Sequence, residues 1–287
     1  MNRRNLLSLV AVLIAAGCSK GPPRPDAPSP RIVCFSPALT EMVFDMGGGD
    51  HVVGVTTQCL LPPGQDRRRV GDALRLDTES VLATQPDVLL VQMKLEGFES
   101  IRKLNPRIRI EHFPMDSLTD IREAIRKIGR IVGKERSAAE FLARFDARLE
   151  AIRRRVEGRE RPRVLFVLGY RNPAAGGRGS FIGDMISLCG GIDAADPGRS
   201  HKLWRTMELE EVTAAAPDVI ICQADPGEEQ AAREYWRRRS DLPAAGSGRV
   251  FIVTDRRWTI PSGRFPAFAE KMAEMIHPAA LRQGAEQ

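Results

Sequence analysis

Apolar and polar positions along the chain fall into blocks that switch between strand-like runs and helical stripes. The first block, IVCF at residues 32–35, is an unbroken apolar run that predicts a short buried strand. Ser36-Pro37 then supplies an N-cap residue and a proline at the first helical position. Leu39, Met42, Val43 and Met46 continue as a helical stripe, which Gly47-Gly48-Gly49 ends. Residues 52–56 and 108–113 predict further strands. Residues 117–132 predict an amphipathic helix, opened by Ser117 with Asp120 three residues on and ended by Gly133. The spacing Ser137-x-x-Glu140 predicts a capping box for the next helix. That helix carries the stripe Phe141, Phe145, Leu149, Ile152 and Val156, and Gly158 closes it. About 20 residues at 1.5 Å each make it roughly 30 Å long, a stiff connector on the scale of a small lobe. Beyond it, strands are predicted over 163–168 and 250–254, and helices over 181–188 and 267–276, with the last ten residues frayed.

One block occurs twice. Residues 78–92 read TESVLATQPDVLLVQ and residues 209–223 read LEEVTAAAPDVIICQ, at a constant offset of 131 residues. Glu79 matches Glu210, Pro86-Asp87 matches Pro217-Asp218, and Gln92 matches Gln223. Each copy predicts a short helix opening on an acidic residue, a Pro-Asp turn and a buried strand. A unit repeated once at this distance implies two similar lobes, not a solenoid. Strand and helix units of this length imply α/β lobes with parallel sheets. The expected architecture is therefore two similar α/β lobes joined by one long rigid helix. The first lobe spans 31–116, helices including the connector span 117–161, and the second lobe spans 162–287.

The N-terminus reads differently. Arg3 and Arg4 precede an apolar run at 6–16, too short to span a membrane and fitting a secretory signal. The run ends in Ala15-Ala16-Gly17-Cys18, which resembles a bacterial lipoprotein signal in which the cysteine, Cys18, is lipidated. The expectation is a signal peptide over 1–17 and a tether over 18–30, whose GPPRPDAPSP has no apolar periodicity. That places the folded part in the periplasm or at the cell surface, held to the membrane by lipid. In that oxidising setting Cys34 with Cys59 and Cys189 with Cys222 can form disulfides, or all four can remain buried thiols.

Net charge is +6, but acidic and basic residues are interleaved, as in RKIGRIVGKERSAAEFLARFDARLE. This is the pattern of solvated helix faces, not of a nucleic-acid stripe. The four histidines, His51, His112, His201 and His277, are isolated and lack metal-ligand spacing. No nucleophile elbow or phosphate loop is present, and GGRGS at 176–180 lacks the phosphate-loop lysine. These absences argue against an enzyme and against a resident metal or cofactor.

RIVCFSPALTEMVFDMGGGDHVVGV, the Pro62-Pro63 loop, the two E-x-V units, GSFIGDMISLCGGID and PSGR at 261–264 occur in an order that resembles one family. It is the helical-backbone (class III) substrate-binding proteins of bacterial ABC importers, which carry vitamin B12, iron-siderophores or haem. The nearest pattern is that of the vitamin B12 binders. The resemblance implies a monomer that captures a corrinoid or ferric chelate in a cleft between the lobes and delivers it to a permease dimer. It implies that Glu79 and Glu210 dock on the permease. It places Gln58, Gln92, Tyr170, Arg171, Trp204, Arg205, Arg256, Arg257 and Trp258 in loops facing the cleft. Leu60, Ala73, Leu74 and Met93 lie in the same loops. Gln58, Ala73 and Gln92 stand where those binders carry aromatics, and the four arginines suit an anionic chelate. Other readings are a haem or bare-metal binder of the same fold, and a sensor or scaffold lipoprotein that does not transport.

Overall fold

The structure is a computed structural model describing residues 29–72, 75–195 and 204–278. The expected signal, Cys18, Ala73 and Leu74 lie outside the described residues. The first lobe runs β1 (Ile32–Phe35), α1 (Pro37–Asp45), β2 (Val52–Val55), β3 (Arg68–Arg69), α2 (Thr78–Ala83), β4 (Val88–Val91), α3 (Glu99–Leu104) and β5 (Arg109–His112). Its strands form a parallel sheet in the order β3-β2-β1-β4-β5. Two helices follow, α4 (Leu118–Ile131) and α5 (Glu135–Val156). The second lobe runs β6 (Arg163–Leu168), β7 (Ala174–Gly176), α6 (Phe181–Leu188), β8 (Ile192–Asp193) and β9 (Trp204–Thr206). It continues with α7 (Leu209–Ala215), β10 (Val219–Gln223), α8 (Glu229–Arg237), α9 (Pro243–Gly246), β11 (Val250–Val253) and α10 (Phe265–Ile276). Its sheet order is β11-β10-β6-β7-β9, with β8 beside β6.

The repeat is visible in the pairing. β4 joins β1 in parallel just as β10 joins β6. Gln85 and Ala216, at equivalent positions, are the two non-glycine residues with left-handed backbone among the described residues, with φ of 46° and 42°. Each ends its helix and turns the chain into Pro-Asp. The aspartate then accepts the N–H that opens the neighbouring strand: Arg31 N to Asp87 Oδ2 at 2.8 Å, and Arg163 N to Asp218 Oδ2 at 2.7 Å. The same two arginines donate their Nε to carbonyls at the ends of α2 and α7. Pro-Asp is thus a clamp between helix end and strand start.

The second sheet departs from the wholly parallel expectation. Gly169, with φ of 71°, reverses the chain after β6, so that β7 and then β9 run antiparallel. The helix anticipated from Ser137 also begins earlier. α5 is capped at Lys134, Ala138 N–H already bonds Lys134 O at 2.9 Å, and Glu140 pairs with Arg136 instead of closing a box. The capping box at α4 is present as read, with Ser117 and Asp120 bonding each other's backbone N–H.

Strand alternation divides the interior. Val88, Leu90, Val219 and Ile221 face one continuous core shared with α1, α4, α5, α6 and α10. Leu89 and Val91 face an outer core of the first lobe, and Ile220 and Cys222 one of the second. α5, at 22 residues, is about 33 Å long and carries Leu142, Phe145, Leu149 and Ile152 into the shared core. α4 crosses it closely because a Cβ at Gly129 would lie 2.5 Å from that of Ala138. Polar ties add to this packing: Leu118 N–H donates to Asp184 Oδ2 at 2.7 Å, Arg148 grips Glu270 with two bonds, and Arg264 pairs with Glu41.

Asp45 lies beside that last pair. Desolvation of its carboxyl and repulsion from Glu41 push its pKa up to about 6, against attraction to Arg264, although the residue as a whole is exposed to solvent. An acid held more tightly in the folded state stabilises the fold below its unfolded pKa, and that contribution is lost as pH rises through about 6. Asp45→Asn is therefore expected to raise Tm at pH 7 and to leave it unchanged below pH 4. Solvent screening limits the gain to about 1 kcal/mol or less. Melting curves at the two pH values test this, and a gain of equal size at both would refute it.

Candidate functional site: the interlobe cleft

The ends of β4 and β6 open onto a cleft of about 450 Å³ between the lobes. Gln92, Met115 and Asp116 line it from the first lobe. Leu168, Ser180, Phe181, Trp204, Thr259 and Pro261 line it from the second. This is the crevice that open α/β sheets leave beyond their strand ends.

Gln92 follows β4 on the side of Val88 and Leu90. Ser36 Oγ donates to its Oε1 at 2.7 Å, so the hydroxyl read as an α1 cap holds a cleft residue instead. Trp204 stands on β9 with its ring 6.4 Å from that of Phe181. Gly176 allows the indole this approach, since a Cβ there would come within 3.3 Å of its edge. Ser180 caps α6 by accepting Gly183 N–H at 3.1 Å and donates to Gly177 O at 2.6 Å. Asp116 is the one ionisable side chain among the described residues that line the cleft. Burial and repulsion from Asp120 raise its pKa, and His112 opposes them.

Of the nine residues assigned to the cleft from sequence, Gln92 and Trp204 line it. Tyr170 is 5% exposed and meets Tyr235 edge-on in the outer core of the second lobe, because the left-handed turn at Gly169 sends it away. Trp258 is 2% exposed, packed between Phe166 and Phe268, while its neighbour Thr259 reaches the cleft. Arg205 alternates with Trp204 along β9 and pairs with Glu211 at 2.8 Å. Arg256 pairs with Asp225 at 2.7 Å, and Arg257 grips Asp255, holding that carboxyl below its usual pKa. Arg171 is exposed and stacks over Tyr170. Gln58 is exposed on the loop after β2, beside Leu60, and does not line the cleft. Met115, Asp116, Leu168, Ser180, Phe181, Thr259 and Pro261 were not assigned to the cleft from sequence; Leu168 and Phe181 fall in a predicted strand and a predicted helix, where an apolar residue reads as core.

Glu79 and Glu210 occupy the second position of α2 and α7, both exposed and without an ion-pair partner among the described residues. Both helix starts are capped by other groups. Asp77 accepts Ser80 N–H at 3.0 Å, and Glu211 accepts Glu208 N–H at 2.9 Å.

Cys189 and Cys222 lie on opposite faces of the second sheet and cannot pair. Cys189 donates to Ala269 O and Cys222 to Gly169 O. Cys34 and Cys59 share the inner core, where Thr40 donates to Cys59 Sγ at 3.1 Å. All four are free buried thiols, and burial pushes Cys222 up to about 11. Among the described residues there is no metal-holding group of three or more His, Cys, Asp or Glu, and no helix long and apolar enough to cross a membrane.

The periplasmic binding protein family matches residues 32–256, and the chain belongs to it. Within that family it is a class III substrate-binding protein of the ABC-importer type, not an enzyme, and the small molecule it binds is cargo rather than a cofactor. It is 24% identical over 266 residues to a cobalamin-binding protein of Halobacterium salinarum, covering 89% of this chain and 72% of that one. It is 23% identical over 217 residues to a vitamin B12-binding protein of Salmonella choleraesuis, covering 75% and 80%. The apo periplasmic heme-binding protein RhuT of Roseiflexus sp. RS-1 superposes with a TM-score of 0.74 at 26% identity, over 88% of this chain and 99% of that one. The Vibrio cholerae vitamin B12-binding protein BtuF shares the fold, with a TM-score of 0.76 at 20% identity over the same shares.

Proposed function

We propose that this protein captures a corrinoid in the interlobe cleft and hands it to an ABC permease, docking through Glu79 and Glu210. A signal peptide over 1–17 and a lipid on Cys18 would hold it to the membrane through the tether at 18–30. The observation that carries the choice of cargo is the charge of the cleft. Its described lining is aromatic, aliphatic and uncharged polar, with one carboxyl group and no cation. The rim of a corrin bears neutral carboxamides, which such a surface can meet. Haem bears two carboxylates, which would face Asp116 with no cation among the described lining residues. Three of the four arginines first assigned to an anionic chelate are bound to carboxylates already. A cleft of about 450 Å³ takes one edge of a macrocycle and leaves the rest in its open mouth.

Haem is the second reading, favoured by the likeness to RhuT and by the thioether of Met115 in the lining. Titration calorimetry and native mass spectrometry with cyanocobalamin, dicyanocobinamide, haemin and a ferric siderophore separate the two. One corrinoid per chain is expected. Stoichiometric haemin with no corrinoid would overturn the proposal.

A further inference from the structure

The repeat that pairs Glu79 with Glu210 also pairs Gln92 with Gln223, at the ends of the two matching strands. Gln92 lines the cleft from the first lobe. Gln223 closes β10 on the side of Val219 and Ile221, directly beside Leu168 across the sheet, and Leu168 lines the cleft from the second lobe. Gln92 thus lines the cleft directly, and Gln223 sits enclosed immediately behind its lining, next to Leu168. Their states differ. Ser36 holds Gln92 by its Oε1, and its NH2 has no partner among the described residues. Gln223 is 8% exposed, its Oε1 is fully enclosed, and its carboxamide bonds to nothing among the described residues.

An enclosed carboxamide with no partner costs about 1–3 kcal/mol of desolvation, and an apolar side chain of the same shape would avoid that cost. Fold stability therefore does not explain a glutamine at 223. We infer that Gln223 is a cargo-binding residue that selects a ligand bearing carboxamides on its rim, with Gln92 as the donor on the facing jaw. A carboxamide offers a donor and an acceptor, so another carboxamide satisfies both halves whichever way Gln223 is turned. A carboxylate only accepts. It would meet the NH2 half and leave the carbonyl enclosed and unpaired. The inference rests on the reading of the cleft as a corrinoid site, and names the groups by which the corrin rim is recognised.

Gln223→Met keeps length and removes both polar atoms. It is expected to weaken cyanocobalamin binding about tenfold or more by calorimetry, while the ligand-free protein melts at the same temperature or higher. Gln223→Asn withdraws the same group by one methylene and should weaken binding less, in the same direction. It also serves if the methionine variant does not fold. Gln92→Met should weaken binding comparably. Wild-type affinity in both Gln223 variants would overturn the inference and leave the corrinoid reading standing, as would a melting temperature that falls along with affinity. A wild-type protein that takes haemin and no corrinoid would overturn both.

Discussion

Reversing Glu79 and Glu210 together to arginine is expected to cut cargo uptake at least a hundredfold and to leave cargo affinity within about twofold. Close charge pairs across an interface couple by roughly 1.5–7 kcal/mol, so two reversed pairs remove at least ~3 kcal/mol, which exceeds two powers of ten. The loss cannot be traced to the fold. Both carboxylates are exposed and lack ion-pair partners among the described residues, and Asp77 and Glu208 with Glu211 cap the two helices. Placing a cation near a helix N-terminus costs about 0.3–1 kcal/mol, small against a typical stability of about 5–15 kcal/mol. Uptake of labelled cyanocobalamin in cells that carry only the variant is compared with calorimetry on the purified protein. Uptake at the wild-type rate would refute the docking role.

Trp204→Ala is expected to weaken cargo binding by about 30- to 150-fold. A truncated aromatic anchor in a desolvated pocket costs on the order of 2–3 kcal/mol, and every 1.4 kcal/mol is a factor of ten. The indole is half-buried and braced by Phe181, and the approach that Gly176 permits fixes its orientation. Trp204→Phe should recover most of the affinity, since it restores an aromatic face. Fluorescence provides the readout. Trp236 and Trp258 are enclosed in core, so quenching by cargo reports chiefly on Trp204. An alanine variant that binds as tightly as wild type would remove Trp204 from the site.

The repeat, the strands and the connector could be read from sequence because each is written in local spacing: unbroken apolar runs at β1, β4 and β10, and the stripe of α5. What could not be read depended on backbone direction. The reversal at Gly169 leads into β7, which none of the predicted strands covers, and carries Tyr170 to the outer core. α8 left a faint signal, since it buries Ala232 and Trp236 and is otherwise largely polar. The cleft residues split for the same reason. Gln92 follows a strand whose register fixes its side, whereas long arginine side chains have freedom to find the nearest carboxylate, and Arg205, Arg256 and Arg257 do so. Gln223 was visible as half of a repeat, but that its carboxamide is enclosed and unpartnered is a property of the packed structure alone.

The inner core has a consequence for how the molecule comes apart. Residues of β1, β2 and α1 share it with residues of β6, β10, α6 and α10 through α4 and α5. A break at any point of that core exposes apolar surface belonging to both lobes, at about 25 cal/mol for each Å². A state with one lobe folded and the other melted therefore carries a penalty that two separately cored domains would not. Two lobes in shape make one cooperative unit in heat or denaturant, and a destabilising change on α5 would weaken the helices that carry Glu79 and Glu210 alike.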